Sequence, residues 1–323
     1  MAGLPLVEPF LKTVYTRAEV EAERQSRLQT PGAMSSIITE DTLAYTLTTM
    51  LPGPDDPPAT LPGDGAIFAP APAQQPAPAS GVFGIDSLIP ASAATLTAAH
   101  KLFGRAPVLW GRYFHAPGRV NAAGKVDPGH YSTAENRVLQ GAGIRVLPIA
   151  RQTARVGLGA SAGAQDAAHN VAALFEVFAP AALARHTPEL SMFLDCELAE
   201  GQPSLSSAYY SAWAAGLVRG GLDASGGAVR LHPAVYASRS DVTTWAALTE
   251  AVASGAPCVG AWIAAWLDGP VPIGWSSVLS SPKKALPMPV LAWQYSNKGP
   301  GFDTVILSPS HGQALLDQLP VPP

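Results

Sequence analysis

The sequence predicts an α/β protein built around a (β/α)8 TIM-like barrel, and three observations support this. Eight short apolar segments follow one another from Gly81 onward, and eight is the strand number of such a barrel. Helical patterns separate most of these segments, which is typical of βα units around a parallel sheet. Acidic and aromatic side chains gather where the segments end, and this edge of a barrel carries the functional residues.

The individual elements follow from hydrophobic patterning. The candidate strands are residues 81–86, 107–114, 144–150, 191–198, 228–237, 257–266, 289–296 and 302–308. Helical patterns occupy residues 91–103, 133–141, 163–179, 205–217 and 241–254. After the sixth strand residues 267–288 form a Pro/Gly-rich loop, and a short turn joins the last two strands, so we expect degenerate final helices. The alternative is a doubly wound open sheet, but no Gly-rich phosphate loop follows the first strand.

Composition divides the chain into three predicted regions. Residues 52–80 contain nine prolines in 29 positions and read as a semi-rigid extended linker. Residues 1–51 read as an attachment arm, in which a capping box at Thr16 and Glu19 begins a charged helix to Leu28. Residues 36–50 favour one or two strands that could pair with a partner chain. The alternative for this arm is a poorly ordered extension. The barrel is expected over residues 81–323.

Charge and composition exclude several classes of protein. The net charge of −4, from 20 basic and 24 acidic residues, gives no basic footprint for nucleic acid. A hydrophobic fraction of 47% against 14% charged residues predicts a large core. Two cysteines, Cys196 and Cys258, exclude a disulfide scaffold. The N-terminus lacks the pattern of a secretory signal, and no apolar run is long enough to span a bilayer, so we expect cytoplasmic synthesis and no membrane span.

The most informative segment is MFLDCE at residues 192–197, because an apolar strand rarely buries two carboxylates without a function. Side chains alternate along a strand, so Asp195 and Glu197 share one face and Cys196 points to the other. Asp86 ends the first strand. Carboxyls in unequal environments are the apparatus of glycoside hydrolysis, one as general acid and another ionised. The alternative is a strand-end cap or an ion pair.

Other polar and aromatic side chains are candidates for substrate binding at the same edge. They are Arg112, Tyr113, Tyr236, Trp262, Trp293, Gln294 and Asp303. The rings of Tyr236, Trp262, Trp266 and Trp293 could stack on sugars, and each could equally be core. Both cysteines are expected to face the helix layer as small apolar groups, and His115 and His232 to be structural. The histidines lack zinc-like spacing and no G-x-S-x-G elbow occurs, so neither a metal nor a cofactor is expected.

An ordered series of short motifs resembles the family 25 glycoside hydrolases, which are lysozyme-like muramidases. It is still more similar to the related glycoside hydrolase-like barrels of unknown function described from an exported mycobacterial protein. The matching segments are GID at 84–86, PAS at 90–92, GRYF at 111–114, YSTAE at 131–135, GIRVLPI at 143–149, QDAA at 165–168, FLDCE at 193–197, WIA at 262–264, WQYS at 293–296 and FD at 302–303. Muramidases usually follow the first-strand Asp with a Ser-containing loop ending in Gln-Gly, whereas this chain has SLIP at 87–90, as in the less characterised relatives.

The resemblance implies cleavage of the β-1,4 bond after N-acetylmuramic acid in peptidoglycan. Glu197 matches the family's general acid, and Asp195 and Asp86 match the companion acids that stabilise positive charge or position the substrate N-acetyl group. The resemblance also implies retention of anomeric configuration, with or without substrate assistance.

Two functions are therefore expected from different classes. The first is a peptidoglycan-directed glycoside hydrolase with Glu197 as proton donor. The second is a non-catalytic glycan-binding or structural barrel tethered to a larger assembly by residues 1–80. Because the arm shows no secretory signal, action at the cell wall requires another delivery route, such as a phage tail or a contractile injection apparatus.

Overall fold

The computed structural model describes residues 5–9, 35–41, 44–50, 81–114, 129–197 and 203–323. The chain divides into two compact units, Met1–Gln74 and Gln75–Pro323. The helix predicted from Thr16 to Leu28 and the linker predicted over residues 52–80 lie outside the described residues.

The first unit contains a three-stranded antiparallel sheet. Its strands are β1 (Pro5–Pro9), β2 (Ser35–Asp41) and β3 (Ala44–Met50), in the spatial order β1-β3-β2. Leu47 of the central strand pairs with Ile38 on one side and with Glu8 on the other. The segment predicted to form one or two strands, residues 36–50, thus holds two of them.

The second unit is a closed barrel of eight strands, and every predicted strand is present in it. The strands are β4 (Phe83–Asp86), β5 (Leu109–Tyr113), β6 (Arg145–Arg151), β7 (Glu189–Asp195), β8 (Arg230–Ser238), β9 (Ala261–Ala264), β10 (Val290–Ser296) and β11 (Asp303–Leu307). They follow one another around the barrel in chain order, and β11 closes it against β4.

The last strand departs from a regular (β/α)8 barrel, because β11 runs antiparallel to both of its neighbours, β10 and β4. All other neighbouring pairs are parallel. The reason is the length of the connection: residues 297–302 join β10 to β11, and a parallel crossover needs a dozen or more residues. The chain therefore turns back, and the first residue of β11 lies at the barrel edge where the other strands end.

Helices cover the first five connections of the barrel. They are α1 (Ala93–Phe103), α2 (Thr133–Gly141), α3 (Ala160–Val177), α4 (Pro180–His186), α5 (Ser207–Ser225) and α6 (Val242–Ala253), and α7 (Gly312–Asp317) follows the last strand. The five predicted helices are present, although α5 extends past the predicted end at residue 217 to the left-handed Gly226. Sequence patterning missed the short α4 and α7. No helix lies between β9 and β10, as expected from the Pro/Gly-rich loop.

Alternation along the strands divides the apolar residues into two layers. The barrel interior holds Leu147, Phe193, Ala234, Trp262 and Val305. A larger cluster lies between the strands and the helices and includes Met192, Leu194 and Cys196 from β7 and the residue after it. Because Phe193 points inward, Asp195 also points inward, and the interior face of β7 leads to the barrel mouth.

The described helices differ from membrane-spanning helices in length and apolarity. No single one is long and apolar enough to cross a bilayer, and α3 and α4, which together have that length and apolarity, meet at a bend of 83°.

Candidate active site

Four carboxyl groups lie at the mouth formed by the C-terminal ends of the parallel strands. Asp86 is the last residue of β4, Asp195 is the last residue of β7, and Glu197 lies two residues further along. Asp303 begins the antiparallel β11 and is the register partner of Asp86. Asp86, Asp195 and Glu197 were the predicted catalytic acids. Because the last strand runs in reverse, its first residue, Asp303, lies among them as a fourth carboxyl.

The side-chain amide of Gln294, on β10, joins two of these acids. Its Nε2 atom donates to Asp86 Oδ2 at 3.0 Å and to Asp303 Oδ2 at 3.1 Å. Its Oε1 atom accepts a hydrogen bond from Tyr236 Oη at 2.7 Å and one from Trp266 Nε1 at 2.7 Å. One buried amide thus links side chains from β4, β8, β11 and the loop after β9.

Glu197 is the least buried of three linked groups on the β7 side of the mouth. The Glu197 backbone N–H donates to Asp195 Oδ1 at 3.0 Å, which fixes the turn at the strand end. Glu197 Oε1 lies 3.4 Å from Tyr236 Oη. Tyr236 is itself the register partner of Asp195 on β8, so the three side chains share one corner of the mouth.

A cation lies beside this corner. Arg151 ends β6 and is the register partner of Asp195. Its guanidinium carbon is 5.2 Å from the centre of the Tyr113 ring, a cation–π geometry. The Arg151 charge opposes the upward pKa shifts of both Asp195 and Glu197.

Burial and mutual repulsion favour the protonated forms of all four acids. Burial, reinforced by the charge of Asp303, raises the pKa of Asp86 well above its ordinary value, while the Gln294 bond opposes the rise. Burial raises the pKa of Asp195 to about 7 and that of Asp303 to about 6, and the charge of Glu197 adds to both. Burial also raises the pKa of Glu197, while a hydrogen bond from the Tyr236 hydroxyl and then the Arg151 charge oppose the rise. The cluster therefore retains protons close to neutral pH.

Two of the seven predicted substrate-binding residues lie on the outer side of the barrel wall. Arg112 is fully buried and forms a bidentate ion pair with Glu135 of α2, at 2.7 and 3.1 Å. Trp293 donates its Nε1 to the Ala265 carbonyl at 2.9 Å and packs edge-on against Trp275. Both support the wall behind the site, and neither reaches the acids.

The other predicted residues lie in or under the mouth. Tyr113, Tyr236, Gln294 and Asp303 surround the acids as described above. Trp262 is buried in the barrel interior, with its ring centre 4.4 Å from that of Tyr236. Trp262 therefore forms the floor beneath Tyr236 and not an open sugar platform.

Of two further residues at the mouth, Trp266 was expected only as a possible sugar-stacking ring, and Arg151 was not predicted at all. Trp266 keeps 49% of its surface exposed while its Nε1 reaches Gln294, which places an accessible ring beside the acids. Arg151 was missed because the predicted third strand stopped at residue 150, one position early. A charged residue directly after an apolar strand was the signal that could have revealed it.

Among the described residues, His232 and both cysteines lie away from this cluster. Cys196 and Cys258 pack with the outer core, as expected. His232 pairs with Glu189 at the opposite end of the barrel, and His115 is outside the described residues. Over the described ranges, no three His, Cys, Asp or Glu side chains are grouped so as to hold a metal ion.

Comparison with known proteins yields only structural neighbours. No protein-family model matches the chain, and no curated protein matches it. It is similar to an uncharacterized protein of B. stearothermophilus of known structure, with 22% identity, a TM-score of 0.56, and coverage of 74% of this chain and 100% of that one. It is also similar to a muramidase from Trichobolus zukalii, with 14% identity, a TM-score of 0.41, and coverage of 73% and 99%. The first likeness shows a shared barrel fold.

Proposed function

We propose that the barrel is a glycoside hydrolase that cleaves β-1,4 bonds in peptidoglycan, with Glu197 as the proton donor. The observation that carries this proposal is the position of Glu197, a partly buried carboxyl at the rim, with Asp195 and Asp86 buried more deeply and the partly buried Asp303 in the same cluster. The ordered motifs between residues 84 and 303 support the same substrate class.

The chemistry assigns different tasks to the carboxyls. In its protonated form, which burial favours by raising its pKa, Glu197 transfers its proton to the glycosidic oxygen as the bond to the anomeric carbon breaks. Positive charge then develops on the sugar ring, and an ionised neighbour stabilises it. Asp195 and Asp86 are the candidates for this task, and each can perform it only after losing the proton that burial favours; Asp195, with a pKa of about 7 and Arg151 beside it, loses its proton close to neutral pH. A water molecule supplies the hydroxyl that completes hydrolysis, and Glu197 regains a proton.

Substrate contact is assigned to the exposed ring of Trp266. Aromatic side chains pack against the apolar faces of sugars, and an indole that is half exposed beside the acids suits this use. Its hydrogen bond to Gln294 fixes the ring plane relative to Asp86 and Asp303. A sugar stacked on Trp266 would therefore be held next to the carboxyl cluster.

The test is the release of reducing sugar from purified peptidoglycan. We expect release by the unmodified protein and a loss of at least about 100-fold for Glu197→Gln, the lower end of the contribution that general acid catalysis makes. Glu189→Gln is the matched control, because Glu189 begins the same strand at the opposite end of the barrel and is largely exposed. Full activity of Glu197→Gln would refute the assignment of the acid.

If the folded protein binds cell walls and releases no reducing ends, the second function, a non-catalytic glycan-binding barrel, replaces the first. Co-sedimentation with insoluble peptidoglycan measures this binding on the same samples. A protein that neither binds nor cleaves would contradict both functions.

Delivery is part of the same proposal. We propose that residues 1–80 attach the barrel to a larger assembly, such as a phage tail or a contractile injection apparatus, which carries it to the cell wall. Strands β1 to β3 in this region give it a surface on which a partner strand could pair. Fractionation of producing cells tests the idea, because the full chain should co-sediment with large particles and not remain a free monomer.

A further inference from the structure

The orientation of the Gln294 amide follows from its neighbours. An indole N–H is only a donor, so the Gln294 atom 2.7 Å from Trp266 Nε1 must be the amide oxygen. The amide nitrogen then faces the carboxyl oxygens of Asp86 and Asp303, which accept its two hydrogens. All the hydrogen-bonding capacity of this side chain is in use, so the amide cannot flip without losing several bonds.

The Tyr236 hydroxyl carries a single proton, and Gln294 determines where it points. The hydroxyl lies 2.7 Å from Gln294 Oε1, and that oxygen can only accept. The Tyr236 hydroxyl therefore donates its single proton to Gln294 Oε1. The longer contact of the hydroxyl, 3.4 Å to Glu197 Oε1, has the geometry of a bond donated by Tyr236 to an ionised Glu197, which would lower the pKa of Glu197. Because the single tyrosine proton points at Gln294, a hydrogen bond across this contact forms only when Glu197 supplies the proton.

From these steps we infer that Tyr236 accepts a hydrogen bond from the protonated Glu197 carboxyl, so that the Trp266–Gln294–Tyr236 chain favours the acid form of Glu197. This inference rests on the proposed function only because Glu197 is taken as the proton donor. Tyr236 is thus a positioning residue that acts through Glu197, and Trp266 and Gln294 act through Tyr236. A carboxylate at 197 would instead place two oxygens together with no proton between them.

Other charges also act on Glu197 and must be separated from this bond. The groups that interact electrostatically with it are Asp86, Tyr113, Arg151, Asp195, Tyr236 and Asp303. The carboxyls favour a protonated Glu197 and Arg151 favours an ionised one. A variant that removes only the Tyr236 oxygen leaves all the charged groups in place.

The direction of the hydrogen bond between Tyr236 and Glu197 determines whether the pKa of Glu197 falls or rises when the tyrosine hydroxyl is removed. If Tyr236 accepts from protonated Glu197, Tyr236→Phe removes support for the acid form and the pKa of Glu197 falls, by about half a unit or more. If Tyr236 donates to the carboxylate, the same variant raises the pKa of Glu197. This pKa is measured by titrating the side-chain carboxyl ¹³C signals of full-length protein labelled at glutamate. The Glu197 signal is identified as the one that is absent in Glu197→Gln.

Two further variants make the test decisive. Trp266→Phe keeps a ring at a half-exposed position but removes the donor that orients Gln294, so the pKa of Glu197 should fall in the same direction. Tyr210→Phe removes a buried hydroxyl that donates to the Pro257 carbonyl in the outer layer, and should leave this pKa unchanged. A rise or no change in both Tyr236→Phe and Trp266→Phe would overturn the inference. The titration needs no substrate, so absence of glycan cleavage would count against the proposed function alone.

Discussion

Gly111 of β5 and Asp86 of β4 are register partners, and the absence of a side chain at Gly111 makes room for Asp86. A Cβ atom at position 111 would lie 2.5 Å from the Asp86 Cβ and 3.0 Å from Ile149 Cδ1, which is closer than such atoms approach. The neighbouring strand therefore determines where this carboxyl of the acid cluster can stand.

Gly111→Ala should consequently displace Asp86 and lower both activity and stability. Overpacking of this kind costs about 1–3 kcal/mol, and we expect peptidoglycan cleavage to fall at least about 10-fold, because small misplacements of reacting groups are costly. Gly141→Ala is the control, since a Cβ there meets nothing within 4 Å at the end of α2. Urea unfolding and reducing-sugar release measure the two effects. Equal behaviour of the two variants would contradict the steric argument.

Removal of one partner of the buried ion pair between Arg112 and Glu135 should strongly destabilise the protein. Glu135 also accepts the Ala91 backbone N–H at 2.7 Å, and Arg112 donates to the Ser87 carbonyl at 2.5 Å, so the pair holds the loop that follows Asp86. Glu135→Gln leaves a buried guanidinium without its counter-charge, and we expect a loss of about 3–5 kcal/mol.

Urea denaturation checks this, and an exposed pair supplies the comparison. Arg219 and Asp223 are 85% and 70% exposed on α5, so Arg219→Gln should change the free energy of unfolding by less than about 0.5 kcal/mol. A loss below about 1 kcal/mol for Glu135→Gln would show that the loop is held by other contacts.

Asp303→Asn should stabilise the protein at neutral pH and not in acid. Burial raises the pKa of Asp303 from 3.8 to about 6. A raised pKa means that the folded state binds the proton more tightly, so stability is lost as pH rises from about 4 to 6 and stays lower above. An asparagine avoids this cost, and its carbonyl still accepts from Gln294.

Partial exposure of Asp303 reduces the gain, which we place at about 1–2 kcal/mol, or roughly 3–6 °C in Tm. Thermal unfolding at pH 3.5 and at pH 7.5 measures it. A gain of equal size at both pH values would show that the effect does not arise from ionisation.

Trp266 should contribute more to substrate binding than its neighbours on the same loop. Trp266→Ala removes the exposed ring, and we expect the Kd for soluble peptidoglycan fragments to rise at least about 10-fold, while Trp266→Phe keeps most of the affinity. Val271, an exposed apolar residue of the β9–β10 loop, is the control, and Val271→Ala should bind as the unmodified protein does. Calorimetry makes the comparison. Equal affinities for the two alanine variants would remove Trp266 from the binding surface.

Local sequence determined the strands of the barrel and the position of its acids. Period-two apolar runs are set by neighbouring residues, so all eight strands were recognised, and residues at their ends, such as Asp86 and Asp195, were found with them. The Pro/Gly-rich loop after β9 equally indicated where helices would be missing. The reversal of β11 depended on a short connection whose consequence appears only when the barrel closes.

The tertiary structure decided which of two adjacent strand residues faces the mouth where both had been predicted to bind substrate. Adjacent residues point to opposite faces, so Arg112 and Tyr113 could not both reach the mouth, nor could Trp293 and Gln294. Packing against α2 and Trp275 placed Arg112 and Trp293 outside, which turned Tyr113 and Gln294 inward. The acid cluster likewise unites β4, β7 and β11, which are far apart in the chain. Sequence patterns report only on residues that are close together in the chain, whereas closure of the barrel brings these distant strand ends to one mouth.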